Sequence, residues 1–104
     1  MKLKIENNNK ELICNSFEEF NKKIKPINEL TIIHLNIRSI DANFNQLEAT
    51  INAMDTKPNV IVCTETWNVT SINLYKMQDY DIYYNNSRTN IADGVIVYIK
   101  NNLQ

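Results

Sequence analysis

Three apolar stretches alternate with polar, amide-rich connections along the chain, and each has the length of a strand. They are Leu30-Thr-Ile-Ile-His-Leu-Asn36, Val60-Ile-Val-Cys63 and Gly94-Val-Ile-Val-Tyr-Ile99. The middle run is uninterrupted and β-branched, follows Pro58, and ends abruptly in Thr64-Glu65-Thr-Trp67. Such a run predicts a strand buried on both faces, as in a parallel or mixed sheet. Between the first two runs, Phe44, Leu47, Ile51 and Met54 recur at spacings of three, four and three. This is one face of an amphipathic helix over Asn43 to Thr56, stopped by Lys57-Pro58. Strand, helix and strand with short connections make a βαβ unit, whose strands are normally parallel. Asn36 and Glu65 then end neighbouring strands on the same side, where open α/β sheets place their ligands.

The flanks complete the pattern. Met1 to Lys10, with its Asn7-Asn-Asn9 run, reads as a loose arm. Ser16-Phe-Glu-Glu19 is a capping box, and a short helix from Phe17 to about Lys25 follows it, closed by Pro26. Beyond the Glu65 strand, Trp67 to Gln78 reads as a polar loop with an apolar docking point at Ile72 and Leu74. Tyr80-Asp-Ile-Tyr-Tyr84 alternates as a half-buried strand, and Asn85 to Asn90 turns into the last strand. Gly94, the one glycine, is expected to supply a backbone geometry or a close approach that a side chain forbids.

Composition narrows the function. A chain of 104 residues, 43% hydrophobic, is one small domain of class α/β. It divides into an arm with a short helix (1–29) and the sheet-forming remainder (30–104). A net charge of -1 offers no basic field of the kind nucleic acids attract. Residues 1–30 carry six Lys against five Glu, and the rest carries five basic against seven acidic residues. Two cysteines, Cys14 and Cys63, show no metal-type spacing. No stretch has the length of a membrane span or a signal sequence, so an intracellular protein without a membrane partner is expected. Asn68-Val-Thr70 and Asn85-Asn-Ser87 match the glycosylation acceptor pattern, which eighteen asparagines make easy by chance. His34, the one histidine, reads as a packed or hydrogen-bonded strand residue.

The series Leu35-Asn36-Ile-Arg-Ser-Ile40, helix, Val60-Ile-Val-Cys-Thr-Glu65-Thr-Trp67, Asn86-Ser-Arg88 and Asp93-Gly94-Val-Ile-Val-Tyr98-Ile-Lys100 resembles the endonuclease/exonuclease/phosphatase superfamily. Within it the sequence is most similar to the apurinic-type endonuclease domain that precedes a reverse transcriptase in non-LTR retrotransposon polyproteins. The likeness covers about Leu30 to Leu103.

The resemblance implies a partial four-layer, DNase I-like α/β sandwich, and a Mg²⁺-dependent (or Mn²⁺-dependent) endonuclease that nicks DNA by phosphodiester hydrolysis, nuclear where functional. By it Glu65 matches the metal-binding glutamate, Asn36 the active-site asparagine that organises metal and phosphate, and Arg88 a phosphate contact. A hard cation of this kind takes carboxylate oxygen and keeps positions open for water and phosphate.

The sequence also departs from the family pattern. Arg38 stands where apurinic endonucleases carry an acidic or amide residue, and Asp93 replaces the first of a glycine pair. The later family elements are absent: a phosphate-contacting tyrosine, an Asp-x-Asn strand, a late Asp and a terminal Asp-His pair. His34 precedes the metal motif and cannot replace that histidine. The expectation is an amino-terminal half-domain, inactive alone; the alternative is a non-catalytic interaction module descended from a decayed mobile element.

Overall fold

A computed structural model describes residues 3–7, 10–14, 30–86, 90 and 92–102. Six strands form one mixed sheet: β1 (Leu3–Asn7), β2 (Lys10–Cys14), β3 (Thr31–Asn36), β4 (Val60–Thr64), β5 (Tyr80–Asn85) and β6 (Val95–Lys100). Their spatial order is β2-β1-β3-β4-β6-β5. β3 and β4 are parallel, while every other neighbouring pair is antiparallel. The chain is therefore mixed α/β, with the βαβ unit at its centre.

The amino-terminal residues do not form a loose arm. β1 and β2 pair with each other, and β1 pairs with β3, so the hairpin extends the sheet. The alternation in Leu3-Lys-Ile-Glu6 is the strand signal, and β1 ends at Asn7. The helix expected over Phe17 to Lys25 lies outside the described residues.

Helix α1 runs over Ile40–Asn52, starting and ending earlier than the apolar spacing alone suggests. Its start is fixed by Ser39, whose hydroxyl accepts a hydrogen bond from the Ala42 amide at 3.2 Å. That is N-capping, which satisfies one amide left free in the first turn. Ile40, Phe44, Leu47 and Ile51 are buried on one face of the helix. They join Ile33, Leu35, Ile61, Cys63, Ile96 and Tyr98 of the sheet in one core. Each such side chain contributes roughly 1.5–3 kcal/mol of burial free energy. Met54, beyond the helix end, is buried in the same core.

Between β4 and β5 a short 3₁₀ helix, Ile72–Tyr75, lies against the core. Ile72 packs there as expected, but Leu74 is exposed and Tyr75 takes the buried position. Tyr75 meets Phe44 edge to face at 5.4 Å and donates its hydroxyl hydrogen to Asp41 at 2.8 Å. The hydroxyl of Tyr98 donates to the Tyr75 carbonyl at 2.7 Å, which ties this loop to the sheet.

β4 is not buried on both faces as its apolar run predicts. Ile61 and Cys63 are buried, whereas Val60, Val62 and Thr64 are only partly so. The helix covers one face of the sheet, and apolar residues on the other remain partly open. The strand register lines these up in rows: Ile32, Val60 and Ile99; His34, Val62, Val97 and Tyr83; then Asn36, Thr64, Val95 and Asn85. The first row runs on into the charged Asp81 beside Ile99, the second sets Val62 and Val97 between His34 and Tyr83, and the third, at the sheet rim, is largely polar.

Candidate functional site

The rim is built from the carboxyl ends of β3 and β4 and the start of β6. Asn36 pairs with Thr64 in the parallel register, which puts Glu65 one residue past Asn36 on the neighbouring strand. The two connections then stay zipped beyond the strands. The Ile37 amide donates to the Thr64 carbonyl at 3.0 Å, Ser39 to Glu65 at 2.9 Å, and Ile40 to Thr66 at 3.0 Å. Asn36 and Glu65 are thus brought to one edge, as the βαβ reading requires. Asn36 is exposed and Glu65 partly exposed. Arg88 lies outside the described residues.

Backbone strain concentrates at this edge. Arg38, Ser39, Glu65 and Trp67 have positive φ values of 47°, 77°, 53° and 61°. Each such residue without the freedom of glycine costs on the order of 1–3 kcal/mol, and such conformations gather at functional sites. Surrounding contacts hold them in place. The Asn43 side-chain amide, one turn into α1, donates to the carbonyls of Ile37 at 2.8 Å, Arg38 at 3.0 Å and Ser39 at 3.3 Å. Asn86 grips the opposite loop at two points, its amide donating to the Val69 carbonyl at 3.1 Å and its oxygen accepting from the Val69 amide at 3.0 Å.

Gly94 completes the frame with φ +109°. A β-carbon on it would lie 2.6 Å from the Thr66 hydroxyl oxygen and 3.1 Å from the Trp67 carbonyl oxygen. Its own carbonyl accepts from the Thr66 amide at 3.3 Å. Both the special geometry and the close approach expected of this glycine are present. His34 is partly buried and hydrogen-bonds Thr64 Oγ1 through Nε2 at 3.2 Å, a strand-to-strand tie. Cys63 is buried, and desolvation pushes its thiol up to about 12, leaving an inert core side chain.

Sequence reasoning expects Asn36 and Glu65 at this edge, names Asn86 only within the Asn86-Ser-Arg88 motif, and gives Asn43 no role. Asn43 sits inside an amphipathic helix pattern that explains it as surface, and the partner of Asn86 is 17 residues away. Only Ser39, a helix-start residue before Ile40, carried a local signal.

As to metal, a carboxylate and a carboxamide are oxygen donors of the kind Mg²⁺ accepts, since that ion keeps several waters and takes only one or two carboxylates. Among the described residues no three His, Cys, Asp or Glu side chains gather to hold an ion. Asn36 and Glu65 each bring one oxygen-bearing side chain to this edge, and together they make no closed cage. No helix of the described residues is long and apolar enough to cross a membrane.

No protein-family model matches the chain, and no curated protein or solved structure matches it either.

Proposed function

We propose that the chain is the amino-terminal part of a Mg²⁺-dependent DNA endonuclease of the non-LTR retrotransposon type, within a DNase I-like sandwich, and that it is inactive by itself. The observation that carries this reading is the zipped pair of loops beyond β3 and β4, which sets Asn36 and Glu65 at one strained edge. Glu65 would anchor the hydrated cation and Asn36 would orient it and a phosphate oxygen. When bound, the cation offsets charge that builds on the phosphate as water attacks. A DNA phosphodiester is the matching substrate, with a reverse transcriptase domain as the expected neighbour in a longer polyprotein. Arg88 remains the proposed phosphate contact.

The test is binding of a labelled oligonucleotide followed by fluorescence anisotropy. Mg²⁺ is expected to raise the affinity several-fold, and Glu65→Gln to remove that increase. Affinity that ignores both the metal and the substitution contradicts the reading.

A second reading, a non-catalytic interaction module from a decayed element, is favoured by the partly open apolar pair Val62 and Val97. Sheet faces of this kind are binding surfaces when left uncovered.

A further inference from the structure

The rim displays one large aromatic side chain that neither the core nor the metal anchor uses. Trp67 is 47% exposed and is the one tryptophan of the chain. Burial would be the ordinary fate of an indole in a domain this small, because it removes the largest apolar area. Instead the backbone presents it outward in a left-handed conformation, φ 61°, which a bulky residue adopts only when its surroundings impose it.

Those surroundings are specific. Thr66 beside it is buried, and its hydroxyl donates to the Trp67 carbonyl at 3.1 Å. Gly94 leaves room for the same carbonyl where a β-carbon would crowd it, and two residues further on Asn86 grips Val69. The backbone at Trp67 is therefore held from both sides.

Its neighbours are polar. Asn68 and Thr70 are exposed on its own loop, and Asn36 and exposed Arg38 stand on the loop zipped alongside. A protein-docking tryptophan ordinarily sits in an apolar patch. An exposed indole on a rim that also carries Asn36, Arg38, Glu65 and Asn68 matches a ligand that is flat and aromatic in one part and anionic in the next. A nucleotide has that build.

We infer that Trp67 is a stacking platform for a nucleobase next to the phosphodiester held at Asn36 and Glu65, so that the rim takes single-stranded or locally unstacked DNA. The inference rests on the endonuclease reading for the phosphate. Stacking on an aromatic side chain tolerates any base, because every base has a π face. Arg38 is placed to add a phosphate contact or a stacked guanidinium. With a net charge of -1, contacts at the rim must supply the binding that a basic field gives elsewhere.

The emission of Trp67 reads this directly, since no other indole contributes. Oligothymidylate is titrated into the full chain with Mg²⁺, beside an abasic tetrahydrofuran strand of equal length. Quenching by the thymidine strand and not by the abasic strand is expected. Affinities of the variants, which lack the indole, are read instead by anisotropy of the labelled strands: Trp67→Ala should weaken thymidine-strand binding on the order of tenfold, as loss of one stacked base does, and leave abasic-strand binding unaffected. Trp67→Tyr should restore most of it, and circular dichroism checks that the variants fold.

Equal quenching by both strands, or by neither, overturns the inference, as does unchanged thymidine-strand affinity in Trp67→Ala. Failure of the endonuclease reading looks different. In that case base-dependent quenching persists, which supports the platform, but it ignores Mg²⁺ and Glu65→Gln.

Discussion

Gly94 lies against Thr66 so closely that a β-carbon on the glycine would come within 2.6 Å of the threonine hydroxyl. The position also has φ +109°, a backbone conformation that no L side chain adopts without strain. Gly94→Ala is therefore expected to destabilise the fold by roughly 2–4 kcal/mol, from steric overlap and backbone strain together. Urea denaturation measures it. A change below about 0.5 kcal/mol, the range of ordinary surface substitutions, would mean that the loop relaxes freely.

The strained residues give an opposite expectation. Trp67 at φ 61° sits where glycine is unstrained. Trp67→Gly should relieve roughly 1–3 kcal/mol of strain and lose about 0.4–1 kcal/mol of that to the freer unfolded chain. The same substitution removes the indole, so stability should rise as base-dependent DNA binding falls. That trade-off is the mark of strain kept for function. A midpoint in urea that drops, with Trp67→Ala dropping no further, would show that the indole itself holds the loop.

Alkaline pH should unfold the chain early. Burial raises the Cys63 thiol from 9.0 to about 12, and burial likewise raises the Tyr80 and Tyr98 hydroxyls above their ordinary 10.0. Tyr80 also faces Asp79, and Tyr98 faces Cys63, Glu48 and Tyr75, all of which disfavour a further negative charge. The folded state holds these protons where the unfolded chain releases them. The unfolded state therefore binds fewer protons above about pH 9, and stability falls as pH rises, by up to about 1.4 kcal/mol per pH unit for each group. Urea midpoints should be level from pH 7 to about 8.5 and fall steadily beyond it. A midpoint level through pH 11 would refute the assignment of these groups as buried and neutral.

The partly open rows of the sheet predict association. Val62 and Val97 pair across β4 and β6 on the face that α1 does not cover, with Tyr83 exposed beside them. Sedimentation velocity should give a mass that rises with concentration, and Val62→Lys should return it toward the monomer. A clean monomer at every concentration would show that this face needs no cover.

The βαβ centre was legible because it is local: the apolar spacing of Phe44, Leu47 and Ile51 and the run Val60 to Cys63 are decided by neighbours in sequence. Asn36 and Glu65 were legible for the same reason, since parallel pairing of consecutive strands aligns their ends. Three features were not. The hairpin of β1 and β2 is held by pairing to β3, so the short alternation near Leu3 looked like an arm. The half-open state of β4 depends on what covers the second face, which a run of Val and Ile does not encode. The grip of Asn86 on Val69, like that of Asn43 on the Ile37 loop, joins residues that sequence gives no reason to pair.

The central claim is that Asn36 and Glu65 hold one divalent cation at the end of the parallel strand pair. Paramagnetic broadening by Mn²⁺ in the NMR spectrum of the folded chain tests it without any need for catalysis. At substoichiometric Mn²⁺ the amide signals of Asn36, Thr64, Glu65 and Thr66 should broaden first, and Glu65→Gln should leave them sharp. Broadening centred on the exposed Asp55, Asp79 or Asp81, or spread evenly over all surface carboxylates, would contradict the account.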